Sequence, residues 1–248
     1  MQKQYIGNTI ISISDIKSTN LYAISQIPDK ELKPGTVFLT YNQTEGRGQL
    51  NNQWESESGK NLTFSVFLRP SVVNIQKQYM LSKMVSLGIV SFLNDYITDV
   101  KIKWPNDIYV GDRKICGILI ENAVMRKNIF WSVIGIGLNI NQTVFLSDAP
   151  NPVSVKNITG RDYDLPKMLD GLLKKIDFYY SELFEGNYQD MDAEFLKYLY
   201  RLNKWSDFVD KNHKYKGKIV GVNEIGQLQI EEETGNVNIY NFKEVRFL

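Results

Sequence analysis

The sequence predicts an α+β protein, with a mixed sheet packed against helices and a small antiparallel barrel at its C-terminal end. β-Branched and aromatic segments with strand periodicity alternate with helical segments through most of the chain. One helical segment, residues 74–97, is apolar on most sides, which favours burial against a sheet. From Lys214 onwards the apolar period changes to two, and turn residues separate short strands, as in a small barrel. We therefore divide the chain into residues 1–203 and 204–248.

Strand and helix signals follow one another along the N-terminal part of the chain. Strands are predicted at residues 9–14, 36–41 and 61–68. A short helix is predicted at residues 21–27, after Ser18, Thr19 and Asn20, any of which can cap it. A helix N-terminus also presents N–H groups and hydroxyls that can hold a polar ligand group, so both roles stay open.

The polar segment NQTEGRGQLNNQ, residues 42–53, has no periodicity and reads as a loop. Gly46 and Gly48 flank Arg47, so backbone N–H groups and a guanidinium can approach an anion together. Trp54 follows directly and offers a flat face on which a ring can stack. A flexible loop that ends in a core tryptophan is equally compatible with these residues.

The segment KIKWPNDIYVGDRKICGILIE predicts a strand pair that proline interrupts. Pro105 lacks a backbone donor and breaks the first strand, and a Gly-Asp pair then turns the chain back. The extended parts are residues 100–103, 107–110 and 114–121. Such a hairpin would bring an amide, a carboxylate and an ammonium together on a rigid support, namely Asn106, Asp107 and Lys114. The alternative is an ordinary hairpin with solvated charges.

Residues 129–140 predict a central strand, because apolar residues are nearly continuous there. Gly135 and Gly137 within this strand indicate close approach of a backbone or a ligand. The Gly-x-Gly pattern lacks a third glycine and comes late in the strand, so it matches a dinucleotide fingerprint only weakly. The sequence also has no GxxxxGK[ST] loop, so any ATP site uses other residues.

The C-terminal half of the chain adds two helices before the barrel. Residues 148–161 read as a connection, and Asp164 and Pro166 are good residues for a helix start. A second helix is predicted at residues 189–202. Four barrel strands are then separated by turns at residues 223–226, 234–236 and 241–243.

Composition excludes several classes of function. Apolar residues make up 43% of the 248 residues and charged residues 23%, as in ordinary soluble globular proteins. A net charge of +1 gives no broad basic surface for nucleic acid or anionic membrane. The N-terminus does not read as a signal peptide, and no apolar run is long enough to span a bilayer. A single cysteine fits a reducing compartment, which predicts a cytoplasmic protein.

Scarce residues narrow the chemistry further. His213 is the only histidine and Cys116 the only cysteine. A structural zinc site or a Ser-His-Asp arrangement is therefore not expected. Because Cys116 lies inside a strand pattern, it is predicted as a small core residue rather than a reactive thiol.

Taken together, these segments resemble the biotin protein ligases, enzymes that attach biotin to a lysine of a carrier protein. The residues that carry the resemblance are Ser18-Thr19-Asn20, Gln43, Gly46-Arg47-Gly48 with Trp54, KWPND at 103–107, KICGILIE at 114–121 and GIGLN at 135–139. Their order and spacing resemble the family over essentially the whole chain. The resemblance makes residues 1–203 the catalytic biotin- and ATP-binding domain, and residues 204–248 an SH3-like barrel.

The resemblance implies an ATP-dependent ligase that works in two steps with ATP and Mg²⁺. The biotin carboxylate attacks the α-phosphorus of ATP, which forms biotinyl-5'-AMP and pyrophosphate, and a carrier lysine then displaces AMP. The implied acceptor is the biotin carboxyl carrier protein of acetyl-CoA carboxylase or of a related carboxylase. Because both reactants of the first step are anions, catalysis should rest on positioning and charge neutralisation.

The resemblance also assigns roles to individual residues. Lys114 would neutralise the carboxylate and the developing acyl phosphate, Arg47 would bind ligand oxygens, and Asp107 would orient or deprotonate the incoming lysine. A ligand-orienting or metal-associated carboxylate would look the same in sequence, so metal ligands are not assigned. Hydroxyls and amides suit the uncharged ureido ring, and the biotin-binding residues would be Ser18, Thr19, Asn20, Gln43, Gly46, Arg47, Gly48, Gln49, Lys114 and Gly117. The adenylate side would be formed by Trp54, Asn106, Asp107, Lys114 and Asn139.

The chain departs from the usual family pattern in its loop and at its start. The loop commonly reads GRGRxGRxW, whereas here Gln49 and Asn52 stand where arginines are usual and Asn51 replaces a glycine. We therefore expect a different clamp on the adenylate. The short segment before Ser18 predicts a ligase without the DNA-binding domain of some members, and so without a DNA partner. The near-neutral charge and the lack of a long apolar run predict no membrane partner. A homodimer stays open.

Two other functions stay open at this stage. A lipoate–protein ligase shares the architecture and the adenylate chemistry, although the Gly-Arg-Gly loop and KWPND together favour biotin. A non-catalytic biotin-binding regulator belongs to a different class, and the near-neutral charge argues against it. The thermal shifts produced by biotin and by lipoate would distinguish a biotin ligase from a lipoate ligase. Biotin-dependent ATP–pyrophosphate exchange would distinguish an enzyme from a non-catalytic regulator.

Overall fold

A seven-stranded mixed sheet is the centre of the computed structural model, which describes residues 4–49, 52–147, 151–211 and 213–248. Its strands are β1 Ile10–Ile16, β2 Val37–Gln43, β3 Leu62–Leu68, β4 Val100–Lys103, β5 Asp107–Val110, β6 Arg113–Met125 and β7 Asn128–Leu138. They lie in the order β1-β2-β3-β7-β6-β5-β4. Only β1 and β2 run parallel among the described neighbours, and the other pairs are antiparallel. The predicted mixed sheet and the central position of β7 are confirmed.

Five α-helices accompany this sheet in the described ranges, and two of them cover one face. The helices are α1 Thr19–Gln26, α2 Tyr79–Leu93, α3 Val155–Thr159, α4 Leu165–Glu185 and α5 Tyr188–Tyr198. Strand alternation directs every second residue of β3 and β7 to the face under α2 and α4. The large core on that face includes Phe64, Ile136 and Leu172, all fully buried or nearly so. None of the helices in the described ranges has the length and apolarity needed to cross a membrane.

The opposite face of the sheet is covered only in part, by α1. A small core there contains Ala23 of α1 against Phe38, Phe67 and Val133 of the sheet. Farther along β3, β6 and β7 the residues on this face become small or polar, and α1 reaches them only with its first residues, Thr19 and Asn20. The small or polar residues are Thr63, Ser65, Gly117, Gly135 and Gly137. The fold therefore leaves an open floor of small residues beside the N-terminus of α1.

The segment around Pro105 differs from the predicted hairpin. β4 and β5 pair in antiparallel fashion, with Lys103 opposite Asp107, so the chain reverses at Trp104–Asn106 as well as after Val110. The Trp104–Pro105 peptide bond is cis. The result is a three-stranded meander in place of one interrupted hairpin, and it puts the Asn106 turn at the edge of the open floor.

Helix boundaries differ where long-range contacts compete with local signals. The predicted helix at residues 74–97 is divided into a 3₁₀ turn, Ile75–Lys77, and α2. The predicted helix at residues 189–202 ends earlier, at Tyr198, because Leu199 becomes extended and the Tyr200 N–H donates to the Ile102 carbonyl of β4. The predicted connection at 148–161 contains α3, whose capping box is a purely local signal that the prediction missed. Residues 148–150 of that connection lie outside the described residues.

The C-terminal strands form a second, antiparallel sheet. They are β8 Trp205–Asp210, β9 Lys214–Val222, β10 Leu228–Glu232, β11 Val237–Tyr240 and β12 Val245–Phe247, in the order β11-β10-β9-β8-β12. The four predicted strands and the turns between them are present, and β8 is added to them. Buried residues such as Phe208 belong to the same continuous core as the main sheet. The division at residue 203 and the SH3-like form of this sheet stay predictions.

Candidate functional site

A cleft of about 520 Å³ lies over the open floor of the main sheet. Gly117, Gly135, Gly137 and Thr63 form its floor. Its walls come from α1, the loop at residues 43–54, the turn after β4, and the C-terminal sheet. A cleft of this size with convergent polar groups is typical of a small-molecule site.

Most of the residues predicted from the sequence line this cleft. They are Ser18, Thr19, Asn20, Gln43, Arg47, Gly48, Gln49, Trp54, Asn106, Asp107, Lys114 and Gly117. Gly46 and Asn139 do not line it. A Cβ at Gly46 would lie 2.3 Å from the Trp54 carbonyl oxygen, so this glycine permits the tight base of the loop. Asn139 is buried at the end of β7, where its Nδ2 donates to the Val153 carbonyl at 3.0 Å.

The start of α1 presents a neutral hydrogen-bonding group to the cleft. Ser18 is the N-cap by position, but its side chain makes no capping hydrogen bond. Instead, the Thr19 N–H donates to Gln43 Oε1 at 2.9 Å. Ser65 Oγ lies 2.7 Å from Thr19 Oγ1 and 2.6 Å from Asn20 Oδ1. These contacts hold hydroxyl and amide groups in fixed positions, which favours the ligand-binding role over simple capping.

Asn20 and Arg47 share one carboxylate that the sequence reasoning missed. Asn20 Nδ2 donates to Glu121 Oε2 at 2.8 Å and to the Leu119 carbonyl at 3.2 Å. Arg47 Nη2 lies 3.0 and 2.8 Å from the two carboxylate oxygens of Glu121. Strand alternation on β6 was the available signal, because Gly117, Leu119 and Glu121 lie on one face.

Lys114 and Asp107 meet across β5 and β6, as the sequence predicts. Asp107 pairs with Gly117 in the sheet, and Lys114 pairs with Tyr109 after a register shift. Lys114 Nζ lies 2.8 Å from Asp107 Oδ1, and 5.7 Å from the centre of the Trp54 ring. Each side chain of the ion pair is 23% exposed, so the pair remains accessible from the cleft.

The turn that carries Asn106 is held from three sides. The Asn106 side chain donates to the Ile118 carbonyl, and the Ile118 N–H donates back to the Asn106 carbonyl at 3.0 Å. From α2, Tyr79 Oη and Ser82 Oγ both donate to the Pro105 carbonyl at 3.2 Å. From the C-terminal sheet, the Gly226 carbonyl accepts from Trp104 Nε1 at 2.8 Å.

Lys103 is a cleft residue to which the sequence reasoning gave no separate role, although it belongs to KWPND. Burial lowers the pKa of its ammonium, and the charges of Arg201 and Lys114 act in the same direction, against the opposing effect of Asp107. Its Nζ lies 3.0 Å from Tyr109 Oη and 4.5 Å from the centre of the Tyr109 ring. In the described part of the chain it forms no ion pair. Lys243, Arg246 and the ring of Phe247 line the same side of the cleft from the C-terminal sheet.

Trp54 lies directly on the glycine floor. A Cβ at Gly137 would be 2.3 Å from the indole, and one at Gly117 would be 2.9 Å from it. The predicted close approach at Gly137 is thus made by a side chain of this chain, and Asn20 makes the corresponding approach at Gly135. Within the described residues, Trp54 Nε1 and Gln49 Oε1 are buried without a hydrogen-bond partner. Unpaired polar atoms in a cleft lining fit a site built for a polar ligand.

No metal centre is evident among the residues that the structure describes, since no three His, Cys, Asp or Glu side chains come together as ligands. Asp107 is the carboxylate among the residues that line the cleft. Cys116 is fully buried, as predicted for a core residue, and burial raises the pKa of its thiol.

Comparison with known protein families decides the assignment. The model of the biotin/lipoate A/B protein ligase family matches residues 12–139, more than half of the chain. The chain belongs to the biotin/lipoate A/B protein ligase family. The matched region contains strands β2 to β7 completely, and β1 except for its first two residues.

Individual biotin/lipoate ligase relatives agree with this assignment. The bifunctional ligase/repressor BirA of Bacillus subtilis (strain 168) is 24% identical over 247 residues, which cover 97% of this chain and 75% of that protein. BirA of Escherichia coli (strain K12) is 34% identical over 142 residues, or 55% of this chain and 42% of that protein. A structure of biotin protein ligase from Aquifex aeolicus with biotin and ATP has a TM-score of 0.81 at 25% identity, covering 98% of this chain and all of that one.

Proposed function

We propose that this protein is a biotin–protein ligase that activates biotin with ATP and transfers it to a lysine of a carrier protein. The observation that carries the proposal is the composition of the cleft. Neutral hydrogen-bonding groups on α1 and β2 lie in the same cleft as the Lys114–Asp107 pair on β5 and β6. The strands β3 and β7 separate β2 from β6, so Gln43 on β2 and Lys114 on β6 start from strands that are about 14 Å apart, three strand spacings. A ligand with a neutral ring at one end and an acid at the other suits this separation.

In the first step, an oxygen of the biotin carboxylate attacks the α-phosphorus of ATP. The new P–O bond forms as the bond to the bridging oxygen breaks, and pyrophosphate leaves with that electron pair. Lys114 supplies positive charge where the two anions meet, and Lys103 with Arg246 supplies charge for the phosphates on the side of the C-terminal sheet. Ser18, Thr19 and Gln43 hold the ureido ring through hydrogen bonds.

In the second step, the neutral amine of a carrier lysine attacks the acyl carbon of biotinyl-AMP. The C–N bond forms, the acyl–phosphate bond breaks, and AMP leaves. The nitrogen loses one proton in this step. Asp107 is the carboxylate in the cleft lining, and we assign to it the orientation of the amine and the acceptance of that proton.

Magnesium fits this cleft only as part of the nucleotide complex. A magnesium ion is usually held by one or two carboxylates together with substrate phosphates. Asp107 is the side chain of the cleft that can serve in this way, and its Oδ1 already contacts Lys114. Bound with ATP, the ion would neutralise phosphate charge, a role that it would share with Lys103.

The carrier domain of a biotin-dependent carboxylase is the acceptor that we propose. An acceptor of this kind brings an exposed lysine to the mouth of the cleft, between the loop at residues 43–54 and the C-terminal sheet. A homodimer, the lack of a DNA partner and a cytoplasmic location stay predictions from the sequence.

The decisive measurement is exchange of labelled pyrophosphate into ATP by the purified protein. We expect exchange that depends on biotin and does not occur with lipoate at the same concentration. Exchange with lipoate alone would assign the protein to the other branch of the family. A protein that is stabilised thermally by biotin but catalyses no exchange would be a binding protein, and the proposed reaction would be wrong.

A further inference from the structure

The guanidinium of Arg47 forms an ion pair with a residue outside the cleft. Its Nη2 contacts both carboxylate oxygens of Glu121, and Glu121 is not among the residues that line the cleft. The two side chains are 38% and 29% exposed, so the pair is partly shielded from water. Two charge-assisted contacts therefore orient the guanidinium towards β6.

The backbone around Arg47 explains how this one contact can govern the loop. The Trp54 N–H donates to the Gly46 carbonyl at 2.9 Å, and the Gly48 N–H donates to the Asn52 carbonyl at 2.7 Å. Residues 46–49 are thus tied to residues 52–54, with Arg47 bridged to Gln53. Leu50 and Asn51 lie outside the described residues. Arg47 connects residues 46–49 and 52–54 to β6, 74 residues farther along the chain.

Glu121 also belongs to the hydrogen-bond network at the start of α1. Asn20 donates to Glu121, Ser65 Oγ contacts both Asn20 and Thr19, and Thr19 donates to Gln43. One carboxylate therefore joins the arginine of the loop to the group that holds the ureido ring in the proposed function. Hydrogen bonds linked in this way stabilise one another.

We propose that Glu121 is a positioning residue that latches residues 46–49 and 52–54 against β6 beside the cleft, through Arg47. The latch keeps activated biotin in the cleft between the two steps, and through Asn20 it couples loop closure to an ordered ureido-binding group. The effect of the latch on retention of biotinyl-AMP rests on the proposed function, whereas its effect on the accessibility of the loop does not. Arg47 acts in this scheme through Glu121, and the charge that the reacting anions meet comes from Lys114 and Lys103.

The latch is tested first without any ligand, by limited proteolysis with trypsin after Arg47. In Glu121→Gln the ion pair and one of the two acceptor oxygens are lost, and we expect the rate of cleavage at this bond to rise roughly threefold to tenfold. The matched control is Glu45→Gln, which removes a carboxylate of the same segment whose partner is the exposed Lys17. Equal cleavage in Glu121→Gln and in the wild type would overturn the latch.

The second test measures release of labelled biotinyl-AMP, without carrier, from wild type, Arg47→Ala, Glu121→Ala and the double variant. If the two residues act through each other, Glu121→Ala speeds release several-fold in the wild type and has little further effect in Arg47→Ala. The same effect in both backgrounds would show independent roles and overturn the proposal. A wild type that forms no biotinyl-AMP would refute the proposed function instead, and the trypsin experiment would still decide the latch.

Discussion

Lys114 Nζ and Asp107 Oδ1 lie 2.8 Å apart on neighbouring strands, so the reacting anions would meet a cation that already has a counter-ion. The pair is held by the sheet register, in which Asp107 lies opposite Gly117. A ligand carboxylate or phosphate that approaches Lys114 would compete with Asp107 for the same ammonium. Because Asp107 is then released close to the acyl centre, one ion pair can serve the first step through its cation and the second through its anion.

Removal of the Lys114 ammonium should therefore reduce biotinyl-AMP formation strongly. For Lys114→Ala we expect a loss of about 10²-fold or more, comparable to the loss of one strong electrostatic stabiliser. Single-turnover formation of the adenylate measures this effect. Lys101→Ala is a matched control, because Lys101 lies on β4 beside the Tyr198 ring and outside the cleft lining. A Lys114 variant with a near wild-type rate would remove this residue from the proposed site.

Because the pKa of Lys103 is lowered, we expect ATP binding to weaken at alkaline pH. The ammonium binds phosphate only when protonated, and burial makes it lose its proton below the ordinary lysine value of 10.5. KM for ATP should therefore rise as the pH increases through this lowered pKa, while KM for biotin changes less. Lys103→Arg keeps its charge at high pH and should lose that rise. An alkaline rise that persists unchanged in Lys103→Arg would exclude Lys103 as its source.

Because position 49 is a glutamine, we expect biotinyl-AMP to be released quickly from the protein. Gln49 Oε1 is buried in the cleft lining without a partner in the described residues, and a glutamine offers a phosphate only a neutral hydrogen bond. In Gln49→Arg we expect release of labelled biotinyl-AMP to slow by several-fold, about 1 kcal/mol, with little change in its formation. Faster or unchanged release would show that this loop closes by a different set of contacts, with no room for the longer side chain.

The C-terminal sheet should influence catalysis through Trp104. Trp104→Phe removes the N–H that the Gly226 carbonyl accepts and keeps a ring beside Phe242. We expect a loss of about 1 kcal/mol in the free energy of unfolding, because a partly buried carbonyl loses its partner, and a raised KM for ATP. Urea unfolding and initial-rate kinetics measure the two effects. Trp205→Phe, in the same sheet but 48% exposed, is the control and should change neither.

Several elements could be predicted from the sequence because their causes are local. Asp164 and Pro166 predict the start of α4, and the structure shows the Asp164 side chain accepting from the Lys167 N–H. The β-branched and aromatic residues of LTFSVFL predict β3, whose residues are buried on both faces of the sheet. The site motifs also predict the lining of the cleft well, since residues 18–20 lie at one helix start and residues 106–107 at one turn.

Long-range packing decided the rest of the site. Alternation shows that Gly117, Leu119 and Glu121 share a face of β6, but it does not show which loop or helix lies on that face. Glu121 meets Arg47 and Asn20, 74 and 101 residues away, only because the start of α1 and the loop after β2 both reach β6. In the same way, the indole of Trp54 rests on Gly137, and the C-terminal sheet closes the cleft beside Lys103. Sequence periodicity shows which side chains of a strand lie on the same face. The segment that packs on that face depends on strand register and on residues far away in the chain, and a local pattern contains no information about either.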